Sequence, residues 1–262
     1  ASVGQGRYVA QLLAAAGTGG SVLRWTADDG SRENEEIVLA NHSGTEWSTR
    51  IAVDAAGRAL VAQRLNNGLR LNLYDHKGDL VTTRDFGGMP PNKSRNMQHD
   101  YVGRIIPLAF ADGTWGLVVL VAENGAWPPD YIRLDSDLEG GEWEILHGEG
   151  WGPNVFDAFV APDRGDHFWI ANQERTGNGK GILRLRRYAA NGTRIQDALI
   201  EGPDGFHYWL RATPLSDNGI AVVWKTCADL DQNPCASEVH AAIYEADGAV
   251  RHDAGNITAG HL

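Results

Sequence analysis

The chain has 262 residues, 42% of them apolar, enough to bury a full core, and all-β folds often run to about 200–250 residues as one domain. Lys and Arg number 23 against 34 Asp and Glu, a net charge of −11, so most of the surface would repel a phosphate backbone and nucleic acid is not an expected partner. No apolar run approaches the ~20 residues that cross a bilayer, and the longest, Gly116 to Ala122, has the length of one strand.

Taken in chain order, short β-prone runs alternate with turn chemistry. The first stretch holds Tyr8-Val-Ala-Gln11, Val22-Leu-Arg-Trp25 and the turn Ala27-Asp-Asp-Gly30. Tyr8 to Ala16 could be read as an amphipathic helix, but its match to Leu60-Val-Ala-Gln63 predicts a strand. A fuller copy begins at Trp47. It runs Trp47 to Val53, the turn Asp54-Ala-Ala-Gly57, Arg58 to Gln63, Leu69 to Tyr74, the turn Asp75-His-Lys-Gly78, and Asp79 to Arg84.

The order returns three times. From Tyr101 the turns are Ala111-Asp-Gly113 and one near Gly140; from Phe156 they are Pro162-Asp-Arg-Gly165 and Ala189-Ala-Asn-Gly192; from Tyr208 they are Ser216-Asp-Asn-Gly219 and Glu245-Ala-Asp-Gly248. Units of roughly 50 residues with four short strands are the signature of propeller blades. The prediction is an all-β, five-bladed β-propeller of four-stranded antiparallel blades, a single domain over residues 1–262. The turn glycines are expected to supply the positive φ of tight hairpins. Only Ala1 to Gly4 precede the first run, so the first unit is expected to lack an inner strand, with Asn256 to Leu262 supplying part of it by N/C-terminal ring closure.

Turns of the form Tyr74-Asp75-His-Lys-Gly78 resemble those of bacterial β-propeller repeat proteins, and the likeness covers essentially the whole chain. It points to no specific family: the WD40, kelch and sialidase Asp-box signatures are absent, and it implies no activity.

Propeller geometry brings the second-to-third connections and the inter-unit linkers to one face, where long loops on a rigid scaffold carry binding residues. Trp127 and Trp151 lie there among Gly, Pro and acidic residues, either as surfaces that stack on sugar rings or as plugs over their own loops. A second constellation opens the inner strands: Glu46-Trp47-x-x-Arg50, Asp100-Tyr101-x-x-Arg104, Val155-Phe156-Asp157-x-Phe159 and His207-Tyr208-x-x-Arg211. With His99 and Asn154 these would gather at one channel mouth. Arg50, Arg104 and Arg211 would either hold a carboxylate, sulfate or sugar or form structural ion pairs with the turn aspartates.

The reading that follows is a noncatalytic, lectin-like propeller that binds a glycan or other small polar ligand, with Trp127, Trp151, Tyr101 and Tyr208 as stacking surfaces. The alternatives are a carbohydrate-active hydrolase or lyase working through Glu46, Asp100, Asp157 and His207, since paired carboxylates serve glycoside cleavage, and a protein interaction platform. No cofactor and no metal site is expected. Asp135-x-Asp137 and Asp229-x-Asp231-x-Asn233 place oxygens at alternate positions, but the second lacks the loop glycine and has His240 where an EF-hand needs Glu.

Cys227 and Cys235 can close a small disulfide loop, with free thiols the alternative, and lack the second pair of ligands a zinc site needs. Four Asn-x-Ser/Thr triplets begin at Asn41, Asn92, Asn191 and Asn256 and permit glycosylation. The expected location is secreted or periplasmic.

Overall fold

The computed structural model describes residues 2–5, 8–14, 21–27, 37–39, 49–65, 68–86, 101–122, 129–146, 155–163, 165–175, 181–200, 206–227 and 237–256. The described residues are strands and tight turns. The chain divides into two compact units, one within Ala1–Val121 and Pro129–Ile145, the other within Leu146–Leu262.

Three four-stranded sheets make up the first unit. In chain order they are β1 (Ser2–Gln5), β2 (Tyr8–Ala14), β3 (Ser21–Ala27) and β4 (Ile37–Leu39); β5 (Thr49–Val53), β6 (Ala59–Leu65), β7 (Gly68–Tyr74) and β8 (Leu80–Phe86); and β9 (Tyr101–Ala109), β10 (Trp115–Ala122), β11 (Pro129–Leu134) and β12 (Glu144–Ile145). The second unit holds β13 (Val155–Pro162), β14 (His167–Arg175), β15 (Gly181–Ala189) and β16 (Arg194–Ile200), then β17 (Phe206–Pro214), β18 (Ile220–Cys227), β19 (Ser237–Tyr244) and β20 (Val250–Asn256). Every sheet is an antiparallel meander in which each strand pairs with the next.

Within each unit the first strands of successive sheets are neighbours: β5 lies beside β1 and β9, and β13 lies beside β17. The sheets therefore pack face to face, and their sequences show it. Middle strand β7 is buried on both faces except at Arg70, whereas outer strand β8 is exposed or half-exposed throughout. Leu23, Trp25, Ile51, Val53 and Tyr74 fill the seam between the first two sheets. Leu60, Leu71, Trp115, Leu117 and Ile132 fill the next. In the second unit Trp169, Leu183, Leu185, Leu210, Val222 and Trp224 do the same.

The tight turns follow one design. Gly57 N donates to Asp54 O at 3.1 Å and Asp54 N to Arg58 O at 3.0 Å, while Asp54 Oδ1 accepts from the backbone of Ala56 and Arg58. Asp75 and Asp135 repeat the same side-chain capping. The fourth position needs a left-handed backbone, which Gly57, Gly78, Gly113, Gly192 and Gly248 supply at φ between 81° and 94°.

Several expectations are corrected. Gly165 and Gly219 are not left-handed: Asn218, one residue earlier than Gly219, takes φ 67°, as its short side chain allows. Leu138 occupies the equivalent position in the β11–β12 turn at φ 66°, and is 1% exposed, so burial offsets the strain. Gly30 lies outside the described residues. The first inner strand is not missing either: Ser2–Gln5 pairs with β2, Ser2 opposite Gln11 and Gln5 opposite Tyr8. At the other end Asn256 closes β20 in its own sheet, and residues 257–262 lie outside the described set. The expected strand at Tyr8 is present as β2. The β6–β7 connection, expected to be long, is two residues, 66–67.

Candidate functional site

The aligned candidates fall on the first strands of their sheets. Arg50 is on β5, Tyr101 and Arg104 on β9, Asp157 on β13, and His207, Tyr208 and Arg211 on β17. Because β5 adjoins β9, Arg50 and Arg104 lie on neighbouring strands of the first unit; because β13 adjoins β17, so do Asp157 and the His207–Arg211 run in the second. Glu46, His99, Asp100, Asn154, Trp127 and Trp151 lie outside the described residues, as does Cys235. Cys227 ends β18 opposite Phe206 and Ser237, so the expected disulfide falls outside the described set as well.

Both first strands of the second unit are irregular at this place. Between Val155 and Ala158, β13 carries one more residue than its partner, which steps only from Glu174 to Asn172. Between Tyr208 and Arg211, β17 likewise carries one more than the step from Lys225 to Val223. A bulge of this kind twists the strand and re-aims its side chains, and such bulges concentrate beside functional sites. Asp157 sits inside the first and Arg211 closes the second.

The two arginines whose side chains are described adopt the same arrangement in separate units. Arg50 Nη1 donates to Thr49 O at 2.9 Å, and Arg211 Nη1 donates to Leu210 O at 2.7 Å. The described turn aspartates are held by other arginines: Asp54 binds Arg58, Asp112 binds Arg133, Asp163 binds Arg187 and Asp217 binds Arg251. Among the described residues the expected pairing with a turn aspartate is not made by Arg211.

Buried polar groups that sequence reasoning missed lie on the same sheets. Asn72 Nδ2 donates to Gln63 Oε1 at 3.1 Å and Thr83 Oγ1 to Asn72 Oδ1 at 2.9 Å. Arg186, fully buried, donates to Asn172 Oδ1 at 2.9 Å and to Asp197, a carboxylate that also accepts from Arg184 and Arg194. His240 stacks on Trp224 with ring centroids 5.5 Å apart, its Nε2 being 3.1 Å from Thr226 Oγ1 and 3.3 Å from Glu238 Oε2. Alternation gives no signal for Asn72, which lies between Leu71 and Leu73 in the phase that reads as outward and is buried because β7 is covered on both faces.

The carboxylates with resolved shifts belong to the turn end. Asp217 is held low by the Gly219 backbone N–H and then by Arg251, and Glu245 by its hydrogen bond from Arg251. For Asp112 burial pushes upward, but Thr114 and Arg133 outweigh it and the net shift is downward. Burial raises Tyr74 and Tyr131 and pushes Tyr244 up to about 12, so these phenols stay protonated at neutral pH. Among the described residues no group of three or more His, Cys, Asp or Glu could hold a metal ion, and no helix is long and apolar enough to cross a membrane.

No family model and no curated protein sequence matches the chain. Solved structures do match in fold. The polysaccharide lyase Uly1 is 10% identical at a TM-score of 0.64, covering 95% of this chain and 71% of its own. An ulvan lyase of family PL25 is 7% identical at 0.64, covering 100% of this chain and 71% of its own. The β-propeller domain of the Trilobed protease from Pyrococcus furiosus is 10% identical at 0.51, covering 99% and 71%. The chain thus has an all-β fold of four-stranded antiparallel sheets similar to those of β-propeller proteins.

Proposed function

We propose that the protein is a carbohydrate-active propeller, a hydrolase or lyase whose site is built on the first strands of its sheets. What supports this reading is that β13 and β17, the neighbouring first strands of two adjacent sheets, are both bulged, with Asp157 inside one bulge and His207, Tyr208 and Arg211 in the irregular run of the other. That combination supplies proton transfer, an aromatic surface for a sugar ring and an anion-binding fork. Polysaccharide lyases among the structures of similar fold support this reading over the noncatalytic, lectin-like one expected from the sequence.

In this reading the protein is a five-bladed propeller that works outside the cytoplasm, and Asn154 and Trp151 belong to the same site. Asp157 and His207 transfer protons, and Tyr208 stacks on the sugar. The test is to incubate the full chain with a panel of neutral and acidic polysaccharides and to measure new reducing ends and unsaturated uronate. Turnover that Asp157→Asn or His207→Gln abolishes without loss of binding supports the enzyme. Binding with no new ends on any substrate supports the lectin-like alternative, and neither binding nor cleavage overturns both.

A further inference from the structure

Among the described residues, Arg211 stands apart from the arginines held by carboxylates. Ion pairs to Asp or Glu hold Arg58, Arg70, Arg133, Arg187 and Arg251. Arg211 is exposed and has no carboxylate within ion-pair distance among the described residues, in a chain that carries 34 acidic side chains. Its Nη1 is fixed on Leu210 O at 2.7 Å, which holds the planar head in one orientation. Arg211 stands at the end of the β17 bulge. Arg50, at the corresponding position of another sheet in the other unit, is fixed on its own preceding carbonyl in the same way. At Arg211 the contact to its own preceding carbonyl leaves the remaining N–H donors of the guanidinium open, and among the described residues no carboxylate neutralises its charge.

We propose that Arg211 binds the anionic substituent, carboxylate or sulfate, of an acidic saccharide, and so makes the protein selective for acidic over neutral glycans. This rests on the carbohydrate reading above and adds the substrate class and the residue that selects it. A guanidinium meets either group through two parallel N–H···O bonds, which a neutral hydroxymethyl cannot return. The acidic surface elsewhere disfavours nonspecific capture of polyanions, so recognition must be local.

The test is calorimetric titration of the full chain with three tetrasaccharides: one carrying uronate and no sulfate, one carrying sulfate and no uronate, and one neutral. The expected result is that at least one acidic ligand binds more tightly than the neutral one. Arg211→Gln then weakens that ligand about tenfold or more, as loss of a charge-assisted hydrogen bond should, and leaves the neutral ligand unchanged. Arg211→Lys restores part of the difference, because it keeps the charge and loses the fork. Arg251→Gln, which changes the net charge equally at the turn end, has no effect, and an unfolding midpoint for each variant reports that it is folded. Which acidic ligand responds identifies the substituent. Equal binding of acidic and neutral ligands, or acidic binding untouched by Arg211→Gln, overturns this inference and leaves the carbohydrate reading standing. Binding of none of the three overturns both.

Discussion

Arg58 Nε donates to Asp54 Oδ2 at 2.7 Å across the β5–β6 turn, and the same guanidinium reaches Gly113 O and Ser136 O, both at 3.1 Å, in the adjoining sheet. Its face lies over the Trp115 ring, 5.5 Å from the centroid. From the other side Trp25 Nε1 donates to Gly57 O at 3.0 Å. One five-residue turn thus fastens the three sheets of the first unit, and Arg187, bound to Asp163 and Ala246 O and lying over Trp169, links the two sheets of the second by similar means.

Removing the Arg58 head group should be costly, because Asp54 is 3% exposed and would keep a desolvated oxygen without its partner. We expect Arg58→Ala to lower stability by about 1–3 kcal/mol and Asp54→Ala, which also uncaps the turn, by at least as much. The double variant should cost less than the sum, since the two losses share one interaction. Urea unfolding of the four proteins measures this.

The turn design was legible in the sequence because its determinants are local. Asp54 to Gly57 carries the capping carboxylate and the left-handed residue within four positions. The β11–β12 turn was legible only as lying near Gly140, because Leu138 fills the glycine position, where it is 1% exposed in a core that only the folded sheets define. Strand β1 was missed since four residues, Ser2–Gln5, are too few to show an alternation. Arg211 was legible as a candidate by alignment with Arg50, but the absence of a described carboxylate beside it was not, because that depends on which strands the fold brings together. The Arg186–Asn172 contact joins residues brought together by the β14–β15 register, which no local pattern announces.

Glycines 140 and 141 separate two costs that are usually mixed. Gly140 has φ 67° and nothing within 4 Å of an added Cβ, whereas Gly141 has φ 78° and a Cβ there would stand 2.2 Å from Arg133 O. Gly140→Ala should therefore cost only the left-handed penalty, roughly 1–2 kcal/mol. Gly141→Ala must also push the backbone away from β11 and should cost distinctly more, with a lower thermal midpoint in the same buffer.

Arg251 clasps Glu245 and Asp217 together, Nη2 lying 2.6 Å from Glu245 Oε2 and 2.7 Å from Asp217 Oδ2. Both carboxyls are shifted below their ordinary values of 4.5 and 3.8. A carboxyl held low in the folded state binds fewer protons than in the unfolded chain. Its stabilising effect is therefore complete above those ordinary values and fades as pH falls through the lowered ones. Arg251→Gln should be less stable than the parent at neutral pH, and the gap should close in acid. Unfolding midpoints measured from pH 7 to pH 2.5 check the sign; a gap that widens in acid would contradict it.

The proposed saccharide sits on the first strands, at the bulges of β13 and β17. Crystals soaked in a mixture of acidic and neutral oligosaccharides test it most directly. The predicted result is sugar density within hydrogen-bonding distance of Arg211 and beside Asp157 and Tyr208. Sugar bound only at the turn end, around Arg58 or Arg251, would contradict it.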